Sequence, residues 1–101
     1  VAVGAFTEEM QEIDPLVLER AERVFADVPE EAAETGDLLA SDLGADDLVE
    51  LGVPLADGYV RESPEGVLVV VSVGSATLDA AAGETVYREA RDAGDGTEVP
   101  L

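Results

Sequence analysis

The chain is 101 residues long, room for one domain at most, and sets 24 Asp and Glu against 5 basic residues for a net charge of -19. All the basic residues are Arg; Lys, His and Cys are absent. That composition excludes a disulfide framework, thiolate chemistry, zinc sites built on Cys or His, and a basic groove for DNA or RNA.

High net charge raises the question of disorder, but 47% of the residues are hydrophobic and they fall in periodic runs, which argues for a folded chain. The acids are spread through every segment and not gathered into one tail. This distribution points to the solvated surface of a protein working in concentrated salt, where self-repulsion is screened within about 3 Å at 1 M. The other reading of the acidity is a surface that mimics nucleic acid or draws a basic partner. The longest apolar run, Val67–Val71, is far short of the roughly 20 residues that cross a bilayer. With so acidic a chain and so short an apolar run, neither nucleic acid nor membrane is expected as a partner; no charged-then-apolar leader is seen, and a cytoplasmic location is expected.

In chain order, "VAVG" at residues 1–4 reads as the end of a buried strand running into a loop. Asp14 is placed as an N-cap with Pro15 at the first helical position, and Val17, Leu18 and Ala21 share a face, so a short helix is predicted. "RVFADV" at residues 23–28 is rich in β-formers and predicts a strand. "PEEAAETGDLLA" at residues 29–40 predicts one helix, with glutamates at its positive end and Ala32, Ala33, Gly36, Leu39 and Ala40 at helical spacing. Residues 41–66, punctuated by Gly and Pro, read as loops with one helical turn.

"VLVVVSVG" then supplies the continuous apolar run of a strand buried on both faces, inside a parallel sheet. The last segment is the longest helix. Leu78, Ala82, Val86 and Ala90 recur every fourth residue, Glu84 precedes Arg88 by four, and Gly94 stops it. Alternating strands and helices define an α/β fold with a parallel sheet of about three strands, flanking helices and a long C-terminal helix. So apolar a strand needs neighbours on both sides, and the bare edge calls for another copy or a further segment. The acidic pairs Glu8–Glu9, Glu30–Glu31 and Asp46–Asp47 are chance neighbours in so acidic a chain, and no metal site is expected.

Three stretches carry a resemblance. "VAVGAFTEEMQEID" is similar to a strand-end AVG loop, "ELGVPLADG" with "RESPEGV" to ELG-x-x-L-x-G and R-x-S-x-E elements, and "SVGSATLDAAAGETVY" to an SVG-x-A-x-x-D-x-AAA-x-x-VY signature. Together they resemble the ornithine cyclodeaminase/mu-crystallin family of NAD(P)-dependent enzymes. The resemblance implies a partial Rossmann-like sheet, with the whole chain as the C-terminal part of an NAD(P)-binding domain and a helix returning toward a front domain. Family members are about three times as long. Their dinucleotide fingerprint, G-x-G-x-x-G, and their substrate-gripping Arg and Lys residues have no match here.

Carried over residue by residue, the resemblance puts Val3, Gly4, Ala5 and Phe6 on the loop that passes the nicotinamide ring, with Met10 near the cofactor. It puts Ser72 and Gly74 at cofactor contacts and Val73 at a substrate contact. The location beyond the carboxyl ends of parallel strands agrees independently. In the cyclodeaminases the position of Phe6 is a catalytic Asp and that of Met10 a Lys. Neither is present, so the loop resembles instead that of members reducing cyclic imino acids. The resemblance therefore implies part of, or a truncated relative of, an NAD(P)-dependent oxidoreductase acting on small amino or cyclic imino acids. No catalytic residue is assigned within this chain. NAD or NADP is expected in a full-length parent and no cofactor on this chain alone; the partner is a homo-oligomer or a missing N-terminal portion. The competing reading is a non-catalytic interaction module that keeps half a Rossmann fold as an oligomer. For the residues themselves the plainer roles are core packing for Val3, Ala5 and Phe6, turns for Gly4 and Gly74, and strand-end satisfaction for Ser72.

Overall fold

The structure, a computed structural model, describes residues 1–100. Helix α1, Pro15–Glu19, begins where the Asp14 carboxylate accepts the Leu16 N–H at 2.9 Å and Pro15 presets the first turn. It closes at Arg20, whose N–H returns to Leu16 O. Ala21, expected on the helical face, instead opens strand β1, Ala21–Ala26. The strand ends two residues before the expected limit, because the Asp27 carboxylate takes the N–H of Val28 and Pro29 starts the next helix.

The single helix expected over residues 29–40 is two, α2 at Pro29–Ala32 and α3 at Gly36–Leu39. Thr35 breaks them apart. Its backbone is extended and its hydroxyl donates to Ala32 O at 2.8 Å, a local bond that competes with the helical ladder. The break also admits the loop before α1: Gly36 N–H donates to Thr7 O, and a Cβ at Gly36 would lie 2.5 Å from Met10 O.

Residues 41–66, expected to be loops with one turn, hold more structure than that. A 3₁₀ turn at Ala45–Asp47 leads to strand β2, Val49–Glu50, and then to helix α4, Gly52–Asp57. Strand β3, Val67–Val71, and helix α5, Ala76–Ala93, lie close to where the sequence puts them. Ser75 caps α5 through the Thr77 N–H, and Gly94, at φ 74°, ends it with the paired Gly94→Arg91 and Asp95→Ala90 bonds of a Schellman motif.

The sheet has the order β2-β1-β3 and every pairing is parallel. In register, Val24 faces Val69, and Ala26 faces Val71. These four side chains share one face, where Leu18 of α1, Ala32 of α2, Leu38 of α3 and Leu48 bury them. Phe25, one residue out of phase, points to the other face, and the ring of Tyr59 meets it edge-on at 5.2 Å. An extra residue in β1 shifts the register between Ala21 and Arg23. Glu22 sits at this irregularity, and its carboxylate accepts the N–H groups of Glu62 and Ser63 and the Tyr59 hydroxyl, so tying down the loop ahead of β3.

Beyond β3 the sheet carries one more residue. Ala2 makes a parallel bridge to Val71, through Ala2 N–H to Val70 O at 2.8 Å and Ser72 N–H to Ala2 O at 2.9 Å. The strand end expected at residues 1–4 is thus a one-residue bridge, and β3 is inner only at its carboxyl end. Helix α5 buries no residue at all: Leu78, Val86 and Tyr87 are 53%, 68% and 63% exposed. The radius of gyration is 17.2 Å, against about 13 Å for a compact chain of this length. No helix among the described residues is long and apolar enough to cross a membrane.

Candidate functional site

In a parallel sheet the strands end on the same edge, and there the backbone is released into loops that can meet a ligand. Four segments leave that edge: the loop after Ala2, the Asp27–Val28 link after β1, the Ser72–Ser75 turn between β3 and α5, and the Leu51 link from β2 into α4.

Asp27 joins the second of these to the third. Its Oδ2 accepts the Ser72 hydroxyl at 2.7 Å and the Gly74 N–H at 2.9 Å. Its Oδ1 accepts the N–H of Val73 at 3.1 Å and of Val28 at 2.9 Å. Burial works to raise the Asp27 pKa, but the Ser72 hydroxyl and the Val73, Gly74 and Val28 N–H groups together outweigh it. The carboxyl is held below the ordinary Asp range and stays charged. Gly74 has φ 81°, which other residues adopt only with strain, and this turns its N–H toward Asp27.

A second carboxylate fixes the first segment. Asp37, fully buried in the first turn of α3, accepts the N–H groups of Glu12 and Ile13 on Oδ1 at 2.6 and 2.7 Å. Its Oδ2 is buried without a hydrogen-bond partner. Glu12 in turn accepts the Gly4 N–H at 2.7 Å, and its carboxylate lies where a Cβ on Gly4 would point. The series Asp37, Glu12, Gly4 therefore ties the loop down by hydrogen bonds, in addition to the burial of Ala5 and the packing of Ile13 on the core.

The residues picked out in the sequence fall into two groups. Gly4, Ala5 and Met10 come together around an open recess of about 350 Å³, with Gln11 and Glu12. Ser72, Val73 and Gly74 are gathered by Asp27, and the Ser72 N–H bonds Ala2 O, two residues before Gly4 in the chain. Val3 is 68% exposed beside the bridge, while Ala5 is buried. Phe6, 63% exposed, lines a different recess, of about 540 Å³, with Thr7, Leu39 and three glutamates, Glu8, Glu31 and Glu34. That recess repels anions. Val73 packs partly against the main core.

Sequence reasoning missed Asp27, Asp37, Glu12 and Gly36. The position of Asp27 was the available signal, since an acid directly after a buried strand and before Pro29 sits where parallel sheets present functional groups. Among the described residues no group of three His, Cys, Asp or Glu is disposed to hold a metal ion.

The fold and its ligand edge define an α/β protein with a partial Rossmann-like parallel sheet. No family model matches the chain, and no curated protein matches it. Among solved structures it is similar to the crystal structure of a probable ornithine cyclodeaminase from Bordetella pertussis Tohama I, with 29% sequence identity and a TM-score of 0.74. The match covers 96% of this chain and 33% of that one, so the chain spans about a third of that protein's length. This similarity supports the family resemblance read from the three sequence stretches.

Proposed function

We propose that this chain forms the closing part of the dinucleotide-binding domain of an NAD(P)-dependent oxidoreductase related to the ornithine cyclodeaminase/mu-crystallin family. The reaction is hydride exchange between the nicotinamide and the carbon of a small amino or cyclic imino acid. The observation that carries the reading is the match to the probable ornithine cyclodeaminase over nearly all of this chain at 29% identity. Phe6, where the cyclodeaminases have an Asp, favours imino-acid reduction over ornithine cyclisation, because a phenyl ring accepts no proton.

The residues present fit one end of such a cofactor. The recess at Gly4, Ala5 and Met10 and the neighbouring Ser72 turn offer backbone and a hydroxyl at the carboxyl edge, where a flat ring is held. The phosphates find no matching cradle. The sequence has no glycine-rich fingerprint, and the turn heading α5 is already filled by the Asp27 carboxylate. When bound, the dinucleotide supplies the hydride chemistry; this chain's part is to orient the ring and to shape the edge of the pocket. Its cytoplasmic location and its reliance on a preceding polypeptide or a second copy belong to the same proposal. The free face of α5 and the open side of β3 support that reliance.

Calorimetric titration of the chain with NADH and NADPH in molar salt is expected to show no binding. Micromolar affinity would overturn the assignment of the phosphate site to another part of the enzyme. The coding DNA upstream is expected to specify a G-x-G-x-x-G turn between a strand and a helix. If no frame there encodes one, the reading fails, and the interaction-module alternative, supported by the bare sheet edge, takes its place.

A further inference from the structure

A carboxylate has about four lone-pair sites, two on each oxygen. At Asp27 all four are used: Oδ2 by the Ser72 hydroxyl and Gly74 N–H, Oδ1 by the Val73 and Val28 N–H groups. Nothing is left to accept a proton from a ligand, so Asp27 is no general base. The donors it gathers are themselves informative. Successive N–H groups at the head of a long helix, with one residue in the left-handed region, make the concave set that elsewhere receives phosphate or carboxylate. In this protein the anion is the protein's own.

The consequence for Ser72 follows from its inventory of one donor and two lone pairs. The donor is spent on Asp27 at 2.7 Å, so toward anything else the hydroxyl offers lone pairs only. We propose that Asp27 is a positioning residue that sets ligand specificity at the carboxyl edge. It closes the turn heading α5 to anions and fixes Ser72 as a hydrogen-bond acceptor, so the group received there is a hydrogen-bond donor. Under the function proposed above, that group is the carboxamide of the nicotinamide ring and not a phosphate; this last step rests on that reading, whereas the closure and the polarity do not.

The test follows the amide resonances of Val28, Val73 and Gly74 by NMR, with formate and inorganic phosphate as probes against chloride at constant ionic strength. In the natural chain neither probe is expected to move these resonances in a saturable way. As pH is lowered, all three should move together with one midpoint below that of an ordinary Asp. A saturable shift with either anion, or separate midpoints, would overturn the proposal. Asp27→Gly empties the site, and formate should then give saturable shifts at Val73 and Gly74; a folded variant that ignores formate would also overturn it. Should that variant fail to fold, the natural chain's pH and anion titrations decide alone. In Asp27→Asn the common acid midpoint should vanish, and its persistence would assign it to another group. None of these readouts involves a dinucleotide, so failure of the cofactor reading would show in calorimetry and leave them untouched.

Discussion

Replacing Asp27 by Ala removes the side-chain hydrogen bonds that tie the carboxyl end of β1 to the turn after β3. The variant loses acceptors for the neighbouring Val28 N–H and for the Ser72 hydroxyl, the Val73 N–H and the Gly74 N–H, the last three 45 to 47 residues away in sequence. Gly74 is exposed and can turn to water, so Ser72 and Val73, both half-buried, account for most of the loss. Hydrogen bonds to a charged group contribute roughly 1.5–3 kcal/mol each, and the lower end applies at a half-buried site, giving about 3 kcal/mol. A domain of this size is stable by roughly 5–15 kcal/mol, so the variant stays folded but shifts visibly.

The sign with pH is set by the lowered pKa. A carboxyl whose folded pKa is below its unfolded value contributes stability that is present above the unfolded value, about 3.9, and lost as pH falls through the folded one. Urea unfolding of both proteins, followed by circular dichroism, should therefore show a constant difference at neutral pH that shrinks below about pH 4. A difference under about 0.5 kcal/mol at pH 7, within the range of an ordinary surface substitution, refutes the reasoning; so does one that persists unchanged in acid.

Three further outcomes follow. Gly36→Ala places a methyl 2.5 Å from Met10 O and 2.7 Å from Glu8 O, and should cost about 1–3 kcal/mol in chemical denaturation; a neutral result would mean the loop at residues 7–10 yields freely. Stability should rise as salt goes from about 0.1 M to about 1 M, because the screening length falls from about 10 to about 3 Å and the net charge is -19; a melting temperature indifferent to salt would contradict the salt-adapted reading. In native-state hydrogen exchange the amides of α5, which buries nothing, should exchange far faster than those of β1, and equal protection would show that the helix is packed in solution.

What the sequence discloses is what is local. Five apolar residues in a row announce β3, and Gly94 announces the end of α5, because a cap is a contact with the next turn. Parallel pairing followed from the doubly apolar character of β3, and the sheet has it. Strand β2 escaped because two residues carry no period to read. The break between α2 and α3 escaped for another reason: Thr35, whose hydroxyl turns back on Ala32 O, lies inside an apolar spacing that one continuous helix would also give. The site divides in the same way. Resemblance supplied Gly4, Ala5, Met10, Ser72 and Gly74, but the carboxylates that hold them, Glu12, Asp37 and Asp27, act over long separations and look like any other acid in a chain crowded with them.

The brevity of β2 also bears on solubility. A sheet border is a template on which identical chains can stack into fibrils, and its reach depends on how many free amides and carbonyls lie in line. On the β2 side that line is two residues long, and one of them is the charged Glu50. An incoming strand would find too little to grip there before meeting like charge, so ordered stacking through that border is discouraged by geometry as well as by electrostatics.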